Sequence, residues 1–262
     1  MRHSLLPSLA LAAGALTCPA ASHAQLLETE TARLLRRGWL KLETSYEFQT
    51  SAEGTEAALP FGIEYGATNR LELMLEPVPL VTIRPNGDRH VTGVGDLEAT
   101  LTYALRAERG RVPAVAIAAE AKFPTARDPL IGTRATDYTA YVIASERLGH
   151  VDAHAHFGYT IVGDPPGANL NNVWNLAAAV EYFRNQSFEL YAEALGSTAS
   201  APEGAEGDRG PNVLVPEAAG GEFVASAGVA YRPARNVRLS VGVSYDNTSA
   251  LQLRPSVAVW LR

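Results

Sequence analysis

Residues 39–50 read Trp-Leu-Lys-Leu-Glu-Thr-Ser-Tyr-Glu-Phe-Gln-Thr, and this stretch alternates between two kinds of side chain. Leu40, Leu42 and Phe48 share one face of an extended chain, whereas Lys41 and Glu43 share the other. A helix would scatter these residues around its circumference, but a β-strand separates them because successive side chains point to opposite faces. The alternation recurs as far as the C-terminus and predicts an all-β fold.

This period-2 pattern predicts a transmembrane, antiparallel, up-and-down β-barrel of about 12 strands, an even number as in single-chain bacterial barrels. A secreted β-sandwich is the alternative, because it shows the same alternation with the apolar face turned inward. The pattern leaves the facing of strand 138–148 ambiguous. The predicted strands lie at 39–50, 59–65, 71–76, 97–103, 115–123, 138–148, 151–161, 174–182, 188–194, 223–231, 237–245 and 253–261.

Connection lengths and aromatic positions favour the barrel over the sandwich. Short connections, such as 66–69 and 149–150, alternate with longer ones at 77–95, 124–136, 163–173 and 196–221. Periplasmic turns and extracellular loops produce this alternation, which places both termini in the periplasm. Aromatic residues fall near both strand ends, as expected for two interfacial girdles. They are Trp39, Tyr65, Tyr103, Tyr182, Phe188 and Tyr231 at one end, and Phe48, Phe123, Tyr138, Tyr159, Trp174 and Tyr245 at the other.

The N-terminus indicates export. Residues 1–24 have a short positive start, an apolar stretch and the small-x-small pattern Ser22-His23-Ala24, which predicts a cleavable signal peptide. Residues 25–38 are interpreted as a periplasmic segment, either a short amphipathic helix or a disordered leader, that lies at the barrel mouth or enters the lumen. Residues 39–262 form the predicted barrel. The single cysteine, Cys18, lies in the signal peptide, which excludes disulfides and thiolate metal sites from the mature chain.

Composition agrees with an outer-membrane barrel. Hydrophobic residues make up 47% of the chain and the mean hydropathy is -0.04, because lumen-facing polar residues dilute the apolar ones. The net charge is -6, and no basic stripe runs along the sequence, which argues against nucleic-acid binding. The expected partners are outer-membrane lipid, periplasmic chaperones, the barrel-assembly machinery and a small-molecule solute. The C-terminal Trp260-Leu261-Arg262 is an atypical assembly signal, because many such barrels end in an aromatic residue.

Several short motifs resemble the outer-membrane family named for the meta-pathway of phenol degradation, whose members are often described as transporters. Residues 59–66 read Leu-Pro-Phe-Gly-Ile-Glu-Tyr-Gly, and residues 93–97 read Gly-Val-Gly-Asp-Leu. Residues 119–125, Ala-Glu-Ala-Lys-Phe-Pro-Thr, are similar to a family strand that ends in Leu-Pro-Thr-Gly, with Ala126 in place of the glycine. The resemblance implies a location beside aromatic degradation and a role in uptake, and it implies no catalytic residues. Gly66 and Gly149 are expected in tight turns.

The strand register predicts an acidic lumen. Carboxylates outnumber cations on the predicted inner face, which favours cations or neutral solutes in a narrow conduit between the filled 8-stranded and the open 16-stranded barrels. The lumen-lining candidates are Lys41, Glu43, Glu47, Glu72, Asp96, Glu98, Glu120, Lys122, His154, His156, Glu181, Glu193, Arg238 and Arg254. The predicted function is a channel or transporter for small molecules, including aromatic or hydrophobic compounds.

Three other functions stay open at this point. His154 and His156 lie two residues apart on one strand face and could bind zinc or copper with a third ligand that the sequence does not name. Two polar lumen residues without a metal are the simpler interpretation, and no cofactor is predicted. A hydrolase site that uses Ser145 and a histidine lacks a local signature such as a nucleophile elbow. A structural or interaction barrel with a filled lumen is the main alternative to a channel.

Overall fold

The structure is a computed structural model that describes residues 29–87, 89–165, 169–200 and 221–262. The predicted signal peptide, residues 1–24, lies outside the described residues, as do residues 25–28 of the segment that follows it. Within the described ranges, no helix is long and apolar enough to cross a membrane.

Sixteen strand segments form one antiparallel sheet that closes on itself. Closure comes from β16, which pairs with both β1 and β2. The segments are β1 Leu40–Ser45, β2 Glu47–Thr50, β3 Gly54–Ala58, β4 Phe61–Gly66, β5 Leu71–Pro77, β6 Val81–Pro85, β7 Val91–Gly93, β8 Leu97–Arg106, β9 Ala114–Phe123, β10 Asp137–Leu148, β11 Val151–Ile161, β12 Val173–Phe183, β13 Phe188–Ser197, β14 Phe223–Ala234, β15 Val237–Asp246 and β16 Leu251–Leu261.

The sixteen segments make twelve strands around the barrel. β1 and β2, β3 and β4, β5 and β6, and β7 and β8 each form one interrupted strand, and β9 to β16 are continuous. The interruptions fall at residues such as Tyr46 and Pro60, where the ladder between neighbours is locally broken. The predicted closed barrel of twelve antiparallel strands is therefore confirmed.

Alternate side chains separate an apolar outer wall from a polar interior. Leu73, Leu101 and Val241 are exposed on the outside, as expected of residues that contact lipid. Lys41 and Arg238 are each only 1% exposed, because the closed wall encloses them. The ambiguous strand, β10, turns Ile143 and Ser145 inward, whereas Tyr138 and Val142 lie outside. Tyr65, Tyr103, Tyr182, Phe188 and Tyr231 are exposed near one end, and Phe48, Phe123, Tyr138, Trp174 and Tyr245 near the other.

The two ends of the barrel differ. We call the end that carries Trp39 and Arg262 the turn end, because its connections are the short turns 67–70, 107–113, 149–150, 184–187 and 235–236. The opposite end is the loop end. There the predicted long connection 77–95 is wrong, because β6 extends along β3 and pairs back with β7. The β-branched residues of Val81–Pro85 and Val91–Gly93 favour strands, and the connections 51–53, 86–90 and 247–250 at this end are short.

The segment before β1 enters the barrel in an irregular extended form. Residues 29–39 contain no helical turn, so the amphipathic helix proposed for 25–38 does not form in this part of the segment. Four of its backbone N–H groups donate to side chains of the barrel wall, and Arg33 N donates to Thr31 Oγ1 within the segment. Gly66 holds the end of the segment, since its N–H donates to Trp39 O and its carbonyl accepts from Gly38 N.

Gly66 is therefore needed for close approach and not for a turn conformation. A Cβ at this position would lie 2.3 Å from the Arg36 carbonyl oxygen. Gly149 does adopt the expected positive φ, at 66°, in the tight turn between β10 and β11.

Candidate functional site

The turn-end half of the interior is filled by residues 29–38, which we call the inner segment. Four of its N–H groups donate to wall side chains: Thr29 to Glu193, Glu30 to His156, Ala32 to Ser145 and Leu35 to Glu72. The four acceptors lie on four different strands of the barrel. The wall therefore holds the backbone of the segment, which satisfies donors that would otherwise be buried without partners.

Small wall residues make room for the inner segment. Ala32 packs on Ala114, Ala116 and Ala118 of β9 and on Ile143 of β10. Leu35 packs on Ala258 and Trp260, with Trp39 beside them. Trp39 and Trp260 thus pack inside the barrel, so Trp39 does not belong to the outer aromatic girdle. Trp260 helps seat the inner segment, whereas Leu261 is exposed on the outside.

Arg33 connects the inner segment to two wall carboxylates. Its guanidinium lies 2.7 Å from Glu108 Oε2, in the turn after β8, and 3.1 Å from Asp152 Oδ2 on β11. Arg147 also binds Asp152, with 2.6 Å between Nε and Oδ1. Asp152 is fully buried, so two guanidinium groups compensate one carboxylate that water does not reach.

Ser145, His154 and Glu181 form a buried relay across β10, β11 and β12. The Ser145 Oγ lies 2.8 Å from His154 Nδ1, and the His154 Nε2 lies 3.4 Å from Glu181 Oε2. This order resembles a hydrolase triad, but the Ala32 N–H donates to the Ser145 hydroxyl oxygen at 2.9 Å. All three side chains are at most 5% exposed. The relay therefore holds the inner segment, and these contacts favour a structural role over the hydrolase alternative.

The geometry also argues against a metal at the histidine pair. His154 faces Ser145 and Glu181, whereas His156 Nδ1 accepts from Glu30 N and its ring contacts Tyr141. Ligand atoms of Asp152, His154 and Glu181 do lie within 4.8 Å of one another. However, arginines bind Asp152 and approach Glu181, so a cation placed there would meet guanidinium groups.

Further ion pairs lie along the inner side of the wall at this end. Lys41 binds Glu64 and lies 3.0 Å from Glu43. Arg238 binds Glu189 and lies 3.5 Å from Glu181. Because these groups are nearly fully buried, removal of one partner would leave an uncompensated charge.

The loop-end half contains a cavity of about 540 Å³ instead of a filled core. Arg254 and His156 are its basic lining residues, and Tyr141 contributes an aromatic ring. Glu30 of the inner segment forms part of the floor. The carboxylates of the lining are Glu30, Glu43, Glu47, Glu76, Glu98, Glu120 and Glu222. In the part of the chain that the structure describes, the cavity lining thus contains one arginine and seven carboxylates.

The predicted lumen residues divide between these two halves. Glu72, His154, Glu181, Glu193 and Arg238 lie in the filled half, where they bind the inner segment or each other. Glu43, Glu47, Glu98, Glu120, His156 and Arg254 line the cavity, and Arg254 lies 3.0 Å from Glu47. Lys41 is buried below them.

Two of the predicted lumen residues, Asp96 and Lys122, bind residues at the loop end and do not line the cavity. Asp96 accepts from Ala126 N, and Lys122 binds Asp137. Whether these fourteen residues line a conducting path stays a prediction.

The sequence interpretation missed Arg33, Glu108 and Arg147. The one signal for the inner segment was the apolar inner face of β9, because Ala114, Ala116 and Ala118 stand where a polar lumen face is expected.

Comparison with known proteins identifies the type of barrel. The model of the family described as the MetA-pathway of phenol degradation matches residues 32–262. Comparison with curated protein sequences gives no match. Among solved structures, the COG4313 outer membrane channel from Pseudomonas putida F1 superposes with a TM-score of 0.67 and 11% identity, covering 90% of this chain and 100% of that one.

Two small porins are also similar. The NanC porin has a TM-score of 0.57 and 13% identity, covering 83% of this chain and 98% of its own. The KdgM porin, in complex with disordered oligogalacturonate, has a TM-score of 0.54 and 10% identity, covering 84% and 98%. At these identities the matches show the fold, which is that of outer-membrane channel barrels.

Proposed function

We propose a solute class and an orientation for this chain, starting from the premise that it belongs to the family described as the MetA-pathway of phenol degradation and is an outer-membrane β-barrel channel. The proposed solutes are small cationic or neutral molecules, with aromatic compounds among them. They would enter at the loop end, which is extracellular in this proposal, so that both termini lie in the periplasm. No step of this function needs a catalytic residue.

The observation that carries the proposal is the acidic cavity at the loop end. Seven carboxylates face a space of about 540 Å³. This volume is within the usual size range of ligand pockets and is large enough for a small organic molecule. Rings of carboxylates favour cations in channels because they replace part of the hydration of the ion. Tyr141 and Leu176 add aromatic and apolar surface to the same lining. A solute with a positive charge and an aromatic ring fits both features.

Reversal potentials across planar bilayers test the solute class. Concentration gradients of benzyltrimethylammonium chloride and of potassium benzenesulfonate, two salts whose aromatic ions carry permanent and opposite charges, are applied one at a time across a bilayer that contains the purified barrel. A gradient of potassium chloride links the two measurements, because it gives the permeability ratio of the two small ions. We expect the aromatic cation to be more permeant than the aromatic anion. Preference for the anion, or equal permeability, would contradict the proposal.

A pair of variants links the selectivity to the cavity. Glu76→Gln with Glu98→Gln removes two lining carboxylates, so the preference for cations should fall. The matched control, Glu53→Gln with Glu146→Gln, removes the same charge from residues that do not line the cavity. The control should keep the wild-type reversal potential. An equal change in both double variants would show that overall charge, and not the cavity, sets selectivity.

The filled turn-end half favours a second candidate, an interaction barrel whose lumen conducts nothing. The inner segment and the ion pairs around Arg33 and Arg238 occupy that half. Conductance of the intact barrel separates the two candidates, because an interaction barrel with the inner segment in place would conduct neither ions nor solutes.

A further inference from the structure

The fold collects arginines at the turn end that lie far apart in the sequence. Nine exposed arginines belong to the inner segment, the turns, their flanking strand ends and the C-terminus. They are Arg36, Arg37, Arg70, Arg106, Arg109, Arg111, Arg184, Arg235 and Arg262. Although no basic stripe runs along the sequence, a basic ring therefore surrounds this end of the barrel.

Few acidic residues oppose this arginine ring. In the turns 67–70, 107–113, 149–150, 184–187 and 235–236 the acidic residue is Glu108, which already binds Arg33 and accepts from Arg147 N. Glu146 lies two residues inside the end of β10. None of the nine arginines forms an ion pair with a carboxylate of the described residues. Their charges therefore remain available to an anionic partner.

The loop end carries no comparable ring. Its described connections mix Arg89, Arg127 and Arg134 with acidic residues, and Arg89 binds Asp128 bidentately at 2.8 Å. The Arg89 guanidinium hydrogen-bonds to Asp128 and holds the pKa of that carboxyl below its ordinary value. Charge is thus neutralised locally at the loop end and concentrated at the turn end.

The arginines lie just beyond the outer aromatic girdle of the turn end. Arg106 follows the exposed Leu105, Arg184 comes two residues after the exposed Tyr182, and Arg262 follows the exposed Leu261. Tyr and Trp side chains settle at the level of lipid headgroups, so residues one or two positions beyond them reach the phosphates. A soluble partner would instead contact the mouth of the barrel. The position of the arginines therefore favours a lipid as the partner.

The chemistry of the ring also favours phosphate. The chain has two lysines, Lys41 and Lys122, and neither belongs to the ring. A guanidinium group donates two parallel hydrogen bonds to a phosphate and is more weakly hydrated than an ammonium group. Clusters of four to eight basic residues beside a membrane bind anionic lipids.

We propose that the arginine ring binds the headgroups of anionic phospholipids in the leaflet at the turn end. This partner is independent of the solute proposed for the cavity. With periplasmic termini, the leaflet is the inner one of the outer membrane. Bound lipid would fix the depth of the turn end in the membrane and neutralise charge that otherwise repels itself around the rim.

Native mass spectrometry of the delipidated barrel in a neutral detergent tests this binding. Phosphatidylglycerol and phosphatidylcholine with identical acyl chains are added at equal concentration, and we expect phosphatidylglycerol to be retained preferentially. Glycerol phosphate in a parallel sample supplies the anionic headgroup without acyl chains. It should not displace the lipid at equal concentration. Displacement would show a site for free anions and overturn the lipid assignment, as would equal retention of the two lipids.

Two triple variants locate the binding. Arg70→Gln, Arg184→Gln and Arg235→Gln remove three charges from the ring, and the affinity for phosphatidylglycerol should fall about tenfold. Arg84→Gln, Arg127→Gln and Arg134→Gln remove three charges at the loop end and should leave the affinity unchanged. Heat-modifiable mobility in gels verifies that both variants fold. A similar loss of affinity in both variants would contradict a specific ring.

Discussion

The two halves of the barrel interior use charged residues in opposite ways. In the turn-end half, arginines and carboxylates are paired and buried around the inner segment, as Arg33 is with Glu108 and Asp152. In the loop-end half, seven carboxylates face a cavity with Arg254 as the balancing arginine of the described lining. The same alternating strands build both halves. The difference teaches that the inner segment, and not the strand pattern, decides which half of the lumen is filled.

Deletion of the inner segment should produce the largest effect, because it would leave both halves of the lumen unfilled. Without residues 29–36, the Ala-lined wall of β9 and the acceptors Glu72 and Glu193 face water. We expect the single-channel conductance to rise severalfold and the size limit in liposome swelling to increase. The barrel itself should persist, since its strands pair with each other and not with the segment.

Arg37→Gln, in which the segment stays in place, is the control for this deletion. It should conduct like the wild type. A deletion variant with unchanged conductance would mean that another part of the wall closes the turn end.

Arg33→Gln should produce an intermediate effect on the filled half. Asp152 would keep Arg147 but lose its second guanidinium group, and Glu108 would lose its charged partner. We expect the free energy of unfolding to fall by about 2 kcal/mol, as for loss of a charge-assisted hydrogen bond in a partly buried site. Urea unfolding in detergent micelles measures the change.

The neighbouring exposed arginine supplies the comparison for Arg33. Arg36→Gln removes the same charge from a residue that has no ion pair within the described chain, and its stability should match the wild type. If both variants lose the same stability, the charge of the inner segment matters more than its contacts.

Arg89→Gln should produce the smallest effect and tests the loop end alone. The exposed Arg89–Asp128 pair joins the turn between β6 and β7 to the loop 124–136, and such surface pairs contribute less than about 1 kcal/mol. Because the pKa of Asp128 is lowered in the folded state, the contribution is present above the unfolded pKa and is lost as the pH falls through the folded value.

Limited proteolysis detects this change. Cleavage within 124–136 should become faster in the variant at neutral pH, while conductance stays the same. A change in selectivity would indicate that this pair also shapes the cavity.

The sequence predicted the wall of the barrel well because alternation is a local property. In β1, for example, Leu40 and Leu42 lie on one face and Lys41 lies on the other, and this assignment needs no information about the rest of the chain. The prediction was wrong at 77–95, where the short strands β6 and β7 extend two barrel strands at the loop end, and β6 pairs with β3 and β7. Three to five residues give too few alternations to distinguish a strand from a loop.

What the sequence by itself determined is the closed twelve-stranded wall, with its apolar outside and its polar inner face. The tertiary structure decided which charges are paired, because Thr29 meets Glu193 across 164 positions and Arg33 meets Glu108 across 75. It also gathered the arginines of separate turns into one ring. A residue's face follows from its neighbours in the chain, whereas its partner depends on how the closed wall brings distant strands and the inner segment together.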